Sequence, residues 1–280
     1  MEEKEILKLK EAAERGDANA QYELGEYYDC GEAFDEAEAF QWYLRAAEQG
    51  HTEAENTVAD FYAVGTVVEQ DWTAAYGWFL RAALKGHAAA QFDVAECLAT
   101  GIGTEENLTE ALGWYRKSAE GGFASAQVEL GIRYEDGVDV EQSDEEAAKW
   151  YTRAAEQGYA AGQYNLGCLY LDGRGVERDC KRAFELFLLA AEQGSRSAIC
   201  NLGYCYEMGY GTAKDFEKSN ECYLKAAENG DEVAAFNLGE SYELGRGVER
   251  NLDTALRWYK KAAEQGDADA RNKVRELSKA

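Results

Sequence analysis

Cysteine, histidine and serine are the side chains that could carry covalent or metal chemistry, and their spacing argues against both. The seven cysteines stand at positions 30, 97, 168, 180, 200, 205 and 222. They do not recur in pairs, and no CxxC occurs, so neither a repeated disulfide nor a thiolate zinc site is expected. His51 and His87 are the only histidines and lie 36 residues apart, each after a glycine, where a turn or cap is expected. No SxxK, SDN or KTG run exists, so a nucleophilic serine would lack the neighbouring base that activates it. Gly173-Arg-Gly175, Gly209-Tyr-Gly211 and Gly245-Arg-Gly247 read as turns rather than phosphate loops, because no strand precedes them and no GxGxxG or GKS/GKT follows. Asn107-Leu108-Thr109 matches a glycosylation sequon, but Asn107 has a capping role described below. The sequence therefore predicts no catalytic residue, no metal and no cofactor.

The chemistry that remains is non-covalent. Asn165, Asn201 and Asn237 recur every 36 residues, and an amide can both donate to and accept from an extended peptide backbone. The alternative is that each bonds a neighbouring helix or loop. Cys168, Leu169, Tyr204, Cys205 and Met208 form an apolar set in the same position classes, suited to contact a partner unless packing between successive helices buries them. Glu23, Glu26, Asp60, Asp93 and Glu96 form an acidic set earlier in the chain.

Repeated elements must position these residues. Glycines close an Ala-rich run at 16, 50, 86, 122, 158, 194, 230 and 266, a spacing of 34 once and then 36 six times. Such a period signals a solenoid, whose units bury their apolar faces only against neighbours. Each unit holds two helical segments. Before the second stand Asp35, Asp71, Asn107, Ser143, Asp179, Asp215 and Asn251, all good N-caps, and Glu38, Glu110 and Glu146 would complete capping boxes. Small residues (Ala39, Ala75, Ala111 and their counterparts) and aromatics four later (Tyr43, Phe79, Tyr115, Tyr151, Phe187, Tyr223, Tyr259) give that helix one buried face. The first helix repeats Leu24, Val58, Val94, Leu130, Leu166, Leu202 and Leu238 with an aromatic or Leu four later. A mid-helix Gly follows at 25, 131, 167, 203 and 239, at a cost of about 1 kcal/mol against Ala that close helix crossing would offset.

These residues resemble the Sel-1-like repeat family, a relative of the tetratricopeptide repeats, most literally in residues 234–266 and 162–179. The resemblance covers essentially the whole chain. It implies an all-α, right-handed α/α superhelical solenoid of helix-turn-helix repeats serving as an adaptor for protein complexes. The predicted layout is a single solenoid domain: a capping helix in 1–16, seven repeats (17–50, 51–86, 87–122, 123–158, 159–194, 195–230, 231–266), and a C-terminal capping helix in 267–280. Repeat one is two residues short between Gly31 and Asp35, repeat four reads Gly137-Val-Asp139, and the usual Trp becomes Leu186 and Cys222 in repeats five and six. Cysteine-rich relatives discussed as β-lactam-binding use regular cysteine pairs, which this chain lacks.

On a helical wheel of about 100° per residue, positions 19, 23, 26, 27 and 30 of the first helix lie opposite the buried arc. By similarity to tetratricopeptide arrays they should line a concave groove. The expected occupant is a protein or peptide segment, its basic part facing repeats one to three and its apolar part facing repeats five and six. The alternative function is a regulatory or immunity-type inhibitor that occludes a partner enzyme through the acidic N-terminal half. Trp72 is expected to pack on the neighbouring turn, with a second contact point on the outer face as the alternative, and Cys200 is expected in the core. The 280 residues carry a net charge of −25, with 33 acidic and 11 basic side chains in residues 1–150. So anionic a chain repels phosphate backbones and headgroups, which argues against nucleic acid and membrane surfaces. With no apolar run of about 20 residues and no signal-like or transit-like start, the expectation is a cytoplasmic monomer.

Overall fold

The computed structural model describes residues 3–30 and 34–278, and among these every regular element is an α-helix. In chain order they are α1 (Glu3–Glu14), α2 (Ala18–Cys30), α3 (Glu36–Glu48), α4 (Thr52–Val64), α5 (Trp72–Leu84), α6 (Ala88–Thr100), α7 (Leu108–Glu120) and α8 (Ala124–Asp136). Then follow α9 (Asp144–Glu156), α10 (Ala160–Asp172), α11 (Cys180–Glu192), α12 (Arg196–Met208), α13 (Phe216–Glu228), α14 (Glu232–Leu244), α15 (Leu252–Gln265) and α16 (Ala268–Leu277). The fold is an all-α repeat solenoid, in which α2 is the first helix of repeat one and α3 its second. Contacts gather into two compact units, residues 1–130 and 131–280. The short turn of repeat one falls partly outside the described residues.

All seven predicted caps form. Asp35, for instance, accepts from the N–H groups of Ala37 and Glu38, and Ser143 from that of Glu146. The capping boxes do not. The cap N–H is donated instead to the last turn of the preceding helix, Asp35 to the Tyr28 carbonyl at 2.8 Å and Ser143 to the Tyr134 carbonyl at 2.8 Å. With that donor already satisfied, Glu38 accepts from the Trp42 indole and Glu146 pairs with Lys149. His51 and His87 cap α4 and α6, each Nδ1 accepting a backbone N–H, from Ala54 and Ala90.

The mid-helix glycines are sites of close approach. A Cβ built on Gly203 or Gly239 would stand 2.7 Å from ring carbons of Tyr223 or Tyr259. Those rings are fully buried, so the missing side chain is what lets the two helices of a repeat meet. Most repeats also stack a cation on the outer Trp, as Arg45 on Trp42 and Arg153 on Trp150, both 4.4 Å from the ring centroid. In repeat five Leu186 and Leu189 replace that pair, and Leu189 lies exposed.

Candidate functional site

In the second unit, first helices α10, α12 and α14 carry the Asn positions in register. All three amides are half-buried. Asn201 Nδ2 lies 3.6 Å from Cys168 Sγ, while the side chains of Asn165 and Asn237 make no hydrogen bond to the described residues. A cavity of about 280 Å³ opens beside Asn201, with Tyr164, Arg196 and Asp231 in its wall. Tyr204 and Met208 are 39% and 43% exposed, and the Tyr204 ring meets Tyr210 edge-on with centroids 5.7 Å apart.

Two residues of the apolar set belong elsewhere. Leu169 and Cys205 are both 0% exposed and cannot face a partner. The wheel assumed one buried stripe, but α12 packs against α11, α13 and α14, so the buried arc of a first helix widens to include this position. Burial pushes the Cys205 thiol up to about 12 and that of half-buried Cys168 to about 11, which leaves both protonated and unreactive. Cys200 is buried, as expected for a core residue.

In the first unit the structure brings Asp60, Asp93 and Glu96 together around a cavity of about 270 Å³ between α4, α5 and α6. Its remaining wall is mostly apolar: Ala63, Trp72, Phe79, Cys97 and Ile102, with Thr100. Glu23 and Glu26 are exposed on α2 and do not line it. Burial, followed by the charges of Asp60 and Glu96, pushes the Asp93 carboxyl up to about 7. Desolvation by the surrounding atoms pushes the Asp60 carboxyl up to about 6, although the side chain also reaches the surface at the cavity rim. Glu96 accepts a hydrogen bond from the Tyr115 hydroxyl. Trp72 lines this cavity and also remains exposed.

A register not anticipated from the sequence explains the cavity. Near the end of the first helix, Glu135, Glu207 and Glu243 accept from the phenols of Tyr151, Tyr223 and Tyr259 at 2.8, 3.0 and 2.6 Å. Each also pairs with a cation from the next repeat or the C-terminal helix: Arg174 at 2.6 Å, Arg246 at 2.9 Å and Lys273 at 2.9 Å. In repeat two the same positions hold Ala63 and Phe79, and Ile102 replaces the loop arginine. Three polar partners are thus removed together and space is left. The signal was legible in the aligned repeats, because repeats two and five lose carboxylate and phenol together, Ala63 with Phe79 and Leu171 with Phe187, while repeat three keeps Tyr115 opposite Ala99 and bonds it to Glu96.

Comparison with known proteins matches these elements. The Sel1 repeat model fits residues 18–51, 52–87, 88–123, 124–159, 160–195, 196–231 and 233–267. The chain is similar to the crystal structure of c5321, a protective antigen of uropathogenic Escherichia coli strains with an SLR fold: 35% identity over 97% of this chain, TM-score 0.84. The match spans 59% of that protein's length. It is also similar to a Sel1 repeat protein from Oxalobacter formigenes, with 32% identity, 86% of this chain and 96% of that one covered, and a TM-score of 0.75. No curated protein matches at a significant level. With seven matched repeats across nearly its whole length, the chain belongs to the Sel1 repeat family.

Proposed function

We propose that this protein is a non-enzymatic adaptor whose second unit holds an extended segment of a partner protein. Sel1 repeat proteins are in general protein-interaction scaffolds, and the fold is typically non-catalytic. The observation that carries the reading is the Asn165, Asn201 and Asn237 ladder. Half-buried amides cost free energy unless they are paired, and two of these have no partner among the described residues, so they suit the alternating donors and acceptors of an extended backbone. Tyr204 and Met208 stand beside them as apolar contacts of the kind enriched where partners dock. Leu169 and Cys205 support this surface from within.

The partner is a protein segment; nucleic acid and membrane surfaces are disfavoured by the charge of −25, and no helix among the described residues is long and apolar enough to cross a membrane. Seven free thiols suit the reducing cytoplasm. The test is to select binding peptides from a display library on the full chain. Their affinities are then measured for Asn165→Ala/Asn201→Ala/Asn237→Ala and for Tyr204→Asp/Met208→Asp. Both variants alter accessible side chains and should keep the parent's helicity. A loss of roughly tenfold or more in each supports the reading; unchanged affinity in both variants refutes it. Leu169→Asp is not a fair test, because it would bury a charge and unfold the repeat.

A further inference from the structure

The geometry points to the cavity between α4, α5 and α6 as a socket for one lysine or arginine side chain of a partner segment. This rests on the reading of the chain as a binder of protein segments. It draws on residues of the first unit alone.

The chain shows in three other repeats what belongs at this register. Against Glu135, Glu207 and Glu243 it places its own cation, from Arg174, Arg246 or Lys273. In repeats two and three both sources are gone. Ile102 stands where Arg174 and Arg246 stand, and Asp93 occupies the register of Lys273. The register carboxylate is lost as well, at Ala63, but Asp60, Asp93 and Glu96 bring carboxylates from neighbouring registers with no internal cation beside them. Asp60, Asp93 and Glu96 have no Lys or Arg within 4.0 Å among the described residues. Elsewhere even the fully buried Glu55 is matched, by Arg81 at 2.8 Å and Lys85 at 2.6 Å.

The cavity has the shape of chemistry that a long basic side chain satisfies. Its walls of Trp72, Phe79, Ala63 and Ile102 can cover a methylene stem, while the carboxylates meet the charged head. A neutral polar group would leave the carboxylates uncompensated, and an apolar one would bury them further. The charged and titratable groups around the cavity are Asp60 of α4, Tyr76 of α5, Asp93, Glu96 and Cys97 of α6, and Tyr115 of α7. The Asp60 and Asp93 carboxyls, both pushed above the usual carboxylate range, agree with a site short of positive charge. A bound cation would hold both ionised, so binding releases protons and weakens as pH falls from about 7 towards 5.

The probe is a positional-scanning library of N-acetylated hexapeptide amides, read by fluorescence anisotropy on the full chain. Wild type should prefer Lys or Arg over norleucine at one peptide position by roughly tenfold or more. Asp60→Asn/Asp93→Asn should abolish that preference, and so should Ile102→Arg, which supplies the cation from within and should also raise the melting temperature. Tyr204→Asp/Met208→Asp should retain it. A preference that persists in both cavity variants, or is absent from wild type, overturns the socket. Should Ile102→Arg fail to fold, the Asn pair decides. Peptides that bind without any basic preference leave the adaptor reading standing and sink the socket alone; no peptide binding at all sinks both.

Discussion

Replacing Asp93 by Asn removes one proton-linked charge and should change how stability depends on pH. In the folded chain the Asp93 carboxyl titrates near 7, whereas in an unfolded chain it titrates near 3.9. Between those values the folded state holds a proton that the unfolded state has released, so unfolding releases protons and stability falls as pH rises from about 4 to 7. Each unit of difference corresponds to 1.36 kcal/mol, which sets a ceiling of about 4 kcal/mol. Partial exposure of Asp93 and the shared repulsion with Asp60 and Glu96 reduce this to about 1–3 kcal/mol. Asp93→Asn should therefore match wild type at pH 4 and exceed it by that amount at pH 8. A repeat array need not unfold in one step, so the assay is hydrogen exchange of peptides from α4 to α6 in moderate urea at both pH values. An Asn variant less stable than wild type at pH 8, or a difference independent of pH, would refute the reasoning.

Gly203→Ala forces a Cβ to within 2.7 Å of the buried Tyr223 ring and should cost about 1–3 kcal/mol by thermal denaturation. Gly113→Ala, on an open face of α7, should instead gain up to about 1 kcal/mol. Glu55→Ala leaves Arg81 and Lys85 without their partner and should cost about 2–3 kcal/mol in urea titration, tempered by the exposure of both cations. Glu55→Gln should cost less than half of that, since Gln91 and Gln127 at this register donate to the preceding helix, Gln91 to the Ala83 carbonyl at 3.1 Å. Exposed Cys30 should be alkylated by iodoacetamide well before buried Cys97, Cys200 and Cys205, as read by mass spectrometry of the native chain.

What could be read from the sequence was whatever depends on one helix at a time. Each cap residue bonds its own first turn, so Asp35 and Asn251 declare themselves by type and position. The capping boxes failed because the deciding partner, the Tyr28 or Tyr134 carbonyl, lies across a loop and takes the donor first. Leu169 and Cys205 were misplaced for a related reason: a helix packed on several sides has no simple open face, and the periodicity of one strand of sequence does not report its neighbours. Asp60, Asp93 and Glu96 were recognisable as an acidic set, but the cavity that they line goes with the loss of bulk at Ala63 and of a phenol at Phe79. That loss shows only when the Tyr, carboxylate and arginine columns are read against one another.

The adaptor reading is tested most directly by hydrogen exchange on the full chain with and without a selected peptide. The account predicts slowed exchange in α10, α12 and α14, the first helices that carry Asn165, Asn201 and Asn237. Protection confined to α11 and α13, with those three helices unchanged, would contradict it.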